Sequence, residues 1–99
     1  MRAAPITVVL AVTILVAGCG TSRMHKNQVL FQQRCGSCHA LDPNQLSPVA
    51  AAPNLSTLKP TRAQIEHAIE HGAPGMPDDL VKGDDIQHII DYILQETSQ

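Results

Sequence analysis

A chain of 99 residues has room for one small domain, and seven Lys+Arg against nine Asp+Glu give it a formal net charge of −2, without the basic surplus of a nucleic-acid-binding protein. One Phe, one Tyr and no Trp exclude a core built on aromatic bulk. Chains this small need a staple, and a large flat apolar cofactor would serve as one.

Met1-Arg2 is a short positive start, and Ile6 to Val16 is apolar apart from Thr7 and Thr13. The run is short for a bilayer span and suits the apolar region of a secretory signal. It ends in Leu15-Val16-Ala17-Gly18-Cys19, which resembles a bacterial lipobox. Small Ala17 and Gly18 suit a peptidase cleft, and Cys19 is the expected lipidation site, with stable anchoring through several acyl chains. Cleavage at an ordinary site nearby, or an uncleaved anchor, is the alternative. The expected organisation is a lipoprotein signal peptide over 1–18, a lipidated flexible tether over 19–26 and a folded domain over 27–99.

Asn27 is a candidate cap for a helix over about 28–38. Phe31 lies one turn before Cys35, so both share a face of that helix, with Phe31 in the core. Cys35-Gly36-Ser37-Cys38-His39 reads C-x-x-C-H, the attachment signature of c-type haem. Two thiols so spaced on a helical turn face one porphyrin edge, each able to add to a vinyl group, and the following imidazole supplies an axial ligand. With Cys19 assigned to lipid and Cys35 and Cys38 to haem, no cysteine remains for a structural disulfide.

Ala40 to Pro60 holds Pro43, Pro48, Pro53 and Pro60 and no sustained period. It reads as a loop that wraps the cofactor, with Leu41, Leu46, Leu55 and Leu58 packing on the ring. The Pro53 carbonyl is a candidate acceptor for the free N–H of His39, a contact that orients an axial histidine. Thr61 and Gln64 form a capping box for the next helix, which Gly72 stops. Ile65, Ala68 and Ile69 line one face, while His67 and His71 lie four apart on another, most simply as solvated side chains.

Gly72-Ala73-Pro74-Gly75-Met76-Pro77 is a stiff loop. Met76, set between prolines, is poorly placed for helix packing and well placed to offer a thioether to a haem iron. The last helix is expected over about 84–96, with Asp84 and Gln87 as its capping box. Its apolar stripe is Ile86, Ile89, Ile90, Ile93 and Leu94, and Tyr92 lies off the stripe's centre, within reach of the first helix. Asp78, Asp79, Asp84 and Asp85 form a solvated acidic rim.

From Asn27 to Leu94 these residues together resemble class I cytochromes c, most closely the short lipoprotein cytochromes c of Gram-positive bacteria. Phe31 and Tyr92 occupy the places of that family's helix-crossing aromatics. Pro53-Asn54-Leu55 matches its Pro-Asn-Leu, and Met76-Pro77 its methionine loop. The resemblance implies an all-α, small cytochrome c-like fold of about three to four helices wrapped around one covalent haem c, making 27–99 a cytochrome c domain. It implies Cys35 and Cys38 as covalent haem anchors and His39 and Met76 as iron ligands. Pro53 and Leu55 complete the expected cofactor-binding set. Two positions depart from the family: Asn27 stands where Gly is usual, and Tyr92 where Trp is frequent.

The function these readings point to is a monohaem, membrane-tethered one-electron carrier of a respiratory chain, not an enzyme. Its expected partners are a quinol-oxidising complex and a terminal oxidase. It is expected to be a monomer, held by lipid on Cys19 at the extracytoplasmic face of the bacterial cytoplasmic membrane. Two other classes remain open at this point. A haem enzyme or gas sensor would need Met76 displaced. A zinc module would use Cys35, Cys38, His67 and His71 as a Cys2His2 set, with a middle spacing far longer than a finger's.

Overall fold

The computed structural model describes residues 2–4 and 20–98. The apolar signal stretch and Cys19 therefore lie outside the described residues. Among the described residues the chain is all-α: α1 (Gly20–Arg34), α2 (Leu55–Leu58), α3 (Arg62–His71) and α4 (Asp85–Thr97), with no strand. No helix among them is long and apolar enough to cross a membrane.

α4 is the axis of the fold. It has the strongest apolar stripe, and Ile89 and Ile90 are wholly buried, with Ile93 and Tyr92 nearly so. Burying an isoleucine side chain contributes about 1.5–3 kcal/mol, so one turn of α4 supplies a large part of the core. α1, α2 and α3 each pack against α4, and none makes close backbone contact with another. α1, α2 and α3 thus each meet α4 and not one another.

α1 begins at Gly20, about eight residues before the expected start at 28. The stretch read as a flexible tether is, from Gly20 onward, the first part of this helix. The physical reason is that no Gly or Pro interrupts the run from Thr21 to Arg34, and Met24 packs on the core cluster. Asn27, expected to cap the helix from outside, lies inside it and is buried. At the crossing with α4 the rings of Phe31 and Tyr92 meet at 5.8 Å with a 49° tilt, a favourable aromatic geometry. The position where class I cytochromes c usually carry Gly is here a buried asparagine.

α3 begins as expected. The Thr61 side chain accepts from the Gln64 amide and the Gln64 side chain accepts from the Thr61 amide, and Ile65 and Ile69 are buried beneath. α4 does not begin as expected. Asp84 makes no side-chain capping bond and already has helical φ and ψ. Gln87 is engaged elsewhere, accepting from the Arg62 guanidinium at 2.9 Å. Arg62 also pairs with Asp91, which clips α3 to α4 on the surface.

Candidate functional site

The C-x-x-C-H segment is the tightened end of α1. Cys35 N–H donates to the Phe31 carbonyl at 2.7 Å and Gly36 N–H to the same oxygen at 2.8 Å. Cys38 and His39 N–H groups then both donate to the Cys35 carbonyl, at 3.1 and 2.9 Å. These bonds fold all five residues into one turn past Arg34, where the regular helix stops rather than at 38. A side chain at Gly36 would fit tightly: a Cβ there would lie 3.0 Å from the Gln32 Cα and 3.1 Å from the Gln32 carbonyl oxygen, so that turn would have to give by a few tenths of an ångström.

Both thiols are free. Cys35 is buried, and that burial, with Cys38 adding to it, pushes its thiol up to about 11. Cys38 is half-buried, with Ser37 Oγ 3.9 Å from its sulfur. Next to them, His39 Nδ1 lies 2.7 Å from the Pro53 carbonyl oxygen. An imidazole that donates from Nδ1 presents Nε2 as a lone-pair donor, the tautomer a metal needs.

The segment that carries Pro53 is more ordered than its composition predicts. Ala40 N–H donates to Ser47 Oγ at 3.1 Å and Val49 N–H to the Cys38 carbonyl at 3.3 Å. Asn54 is its knot. Its amide nitrogen donates to the Asp42 and Gln45 carbonyls at 2.9 and 2.8 Å, and its side-chain oxygen accepts from Ser56 N–H at 3.0 Å, capping α2. Sequence reasoning missed both α2 and this role, although an asparagine directly before Leu-Ser-Thr-Leu is a legible cap signal. Of the four leucines expected to pack inward, Leu41 and Leu55 lie against the core. Leu46 is 95% exposed and Leu58 56%. Neither is part of the protein core: Leu46 lines the cleft beside His39, and Leu58 ends α2.

Met76 stands on a separate scaffold. Ala73 and Met76 exchange both backbone hydrogen bonds, at 3.0 and 2.8 Å, around Pro74 and a Gly75 with φ +80°, the chemistry of a type II turn. Asp79 N–H ties the far end back to the Ile69 carbonyl at 3.2 Å. Gly72, the C-cap of α3 at φ +71°, sits directly under this turn, and a Cβ on it would lie 2.7 Å from the Met76 carbonyl oxygen. Met76 is half-buried. Its loop is thus held at both ends by α3.

A cleft of about 320 Å³ opens beside His39, bounded by Phe31, Leu41, Leu46, Tyr92 and Glu96. It includes neither cysteine nor Met76, so it is not the place where the donor set meets. The Cys2His2 alternative is not supported: among the described residues no three His, Cys, Asp or Glu side chains come together as a metal would require, so Cys35 and Cys38 do not converge with His67 and His71.

The donor set suits a haem on chemical grounds. It offers two unpaired thiols on one turn, an imidazole oriented through its second nitrogen, and a thioether on a braced loop.

Comparison with known proteins agrees. No curated protein and no solved structure matches the chain. The family model described as "Cytochrome C oxidase, cbb3-type, subunit III" matches residues 22–93. That span takes in the thiol turn, the His39–Pro53 contact and the Met76 loop, and on its strength the chain belongs to this family of class I c-type cytochrome domains, whose cofactor is covalently bound haem c.

Proposed function

We propose that this cytochrome is a membrane-tethered one-electron carrier of a respiratory chain, with Cys35 and Cys38 as the thioether anchors and His39 and Met76 as the two axial ligands. Bound haem supplies the Fe(II)/Fe(III) couple. The observation that carries the ligand assignment is the 2.7 Å contact between His39 Nδ1 and the Pro53 carbonyl, which commits one ring nitrogen and fixes the direction of the other. Leu55, on α2 directly after Pro53-Asn54 and packed on the core cluster, would be the apolar residue of that segment to lie against the ring.

On this reading the chain's own residues hold the centre still. The braced Ala73–Met76 turn keeps the thioether in place without a helix behind it. A neutral soft sulfur favours the ferrous state and raises the potential. Were His39 and Met76 both to ligate the iron, they would leave no open position for a small-molecule substrate, which favours electron transfer over catalysis. The family description supports a terminal oxidase as one partner, and a quinol-oxidising complex is the complementary electron donor. Docking to either would be brief and of small area. Lipid on Cys19, exposed at the outer face of the cytoplasmic membrane, would confine that search to the membrane surface.

Met76→Ala tests the assignment. The midpoint potential should fall, and the weak red charge-transfer band of ferric methionine-ligated haem should vanish. A band that survives the substitution removes Met76 from the ligand set.

A further inference from the structure

α3 carries two histidines that the haem site does not use. The ring centroids of His67 and His71 lie 4.6 Å apart with a 41° tilt, and both side chains are exposed. Four-residue spacing puts them one turn apart on one helix face, the arrangement by which helical zinc sites present two imidazoles. Glu66 and Glu70 on the same helix add negative charge beside them. Arg62, the nearest cation in α3, is turned away to Gln87 and Asp91.

The spacing is held at both ends. The Thr61–Gln64 capping box fixes the start of α3, and Gly72 N–H donates to the Ala68 carbonyl at 2.8 Å. His71 is therefore in a closed last turn. With the backbone spacing fixed, only the two side-chain rotamers remain to be ordered when one ion bridges them.

We propose that His67 and His71 form a surface chelate for a borderline divalent transition cation, of which Zn²⁺ is the representative, apart from the haem iron. Imidazole suits zinc and copper more than the hard oxygen-seeking cations. No third His, Cys, Asp or Glu among the described residues joins the pair, so water fills the other positions and the ion exchanges freely. The order His67-x-x-Glu70-His71 is that of certain zinc peptidase helices, but a two-ligand site supports binding and not hydrolysis. The bridge would span the turn from which the Met76 loop departs, so a bound ion should also stabilise the fold by mass action.

The test uses the haem-loaded protein and Zn²⁺, which is redox-silent and leaves the oxidation state of the iron alone. Calorimetric titration should give one saturable site per chain, and Zn²⁺ should raise the melting temperature. His67→Gln and His71→Gln should each weaken binding by about tenfold or more, since each removes the intramolecular second contact, and each should abolish the thermal shift. His25→Gln and His88→Gln, at exposed positions with no imidazole one turn away, should leave the affinity unchanged. Absence of saturable binding, or wild-type affinity in either His67→Gln or His71→Gln, would overturn the proposal.

Discussion

Gly72 shows how much a single residue can decide here. It ends α3 with a φ of +71°, and a methyl group on it would meet the Met76 carbonyl at 2.7 Å. Backbone strain of this kind costs about 1–3 kcal/mol. Gly72→Ala should therefore lower the melting temperature and also weaken the methionine charge-transfer band; an unchanged band would separate Gly72 from the ligand loop. Tyr92 gives a second residue-scale expectation. Burial, and then the nearby Glu96 charge, raise its phenol above the ordinary value of 10.0. A raised folded pKa favours the neutral form, so this contribution to stability is whole below pH 10.0 and is lost as the pH climbs through the folded value. As the chain's one tyrosine, it can be followed by ultraviolet difference titration; half-ionisation at or below the ordinary value in the native protein would contradict the burial. Much was legible at this scale. Phe31 and Tyr92 follow from their places on amphipathic helices, and the His39–Pro53 contact from the chemistry of an axial histidine, whose second nitrogen needs an acceptor. Asn27 was misread because nothing local distinguishes a cap from a helix interior when the helix continues upstream.

At the scale of elements, α4 was the most readable and its start the least. Five apolar residues at helical period leave little choice of face, and the buried Ile89, Ile90 and Ile93 are that face. The start depends on a competition that the pattern does not display. Gln87 serves Arg62 across the surface instead of the α4 terminus. Val81 was missed for a similar reason: it is buried at the end of a loop, outside any period. Two substitutions should behave very differently. Ile90→Ala, in the fully buried turn, should cost about 2–5 kcal/mol of stability, read by denaturant unfolding of the haem-loaded protein. Arg62→Ala breaks an exposed pair and should cost no more than about 1 kcal/mol. If the surface variant proves the more damaging, α3 is held to α4 by charge and not by its isoleucines.

For the whole molecule, the aromatic poverty of the chain and the packing of three helices on one and not on one another describe the same shortage of core. The C-x-x-C-H turn, the oriented imidazole and the methionine turn address it through a covalently held cofactor. The C-x-x-C-H turn and the methionine turn were readable because each is a contiguous segment, and the oriented imidazole because a ligating histidine calls for an acceptor on its second nitrogen. The binding of residues 40–54 around Asn54 was not, since it depends on hydrogen bonds between segments without periodicity. The most direct test of this account is an absorption spectrum and an intact mass of the protein purified from its own host, before and after acid-acetone extraction. A haem spectrum and one haem mass that both survive extraction are expected, and they should be lost when Cys35 and Cys38 are replaced together. Colourless protein, or a pigment that the solvent removes, would contradict it.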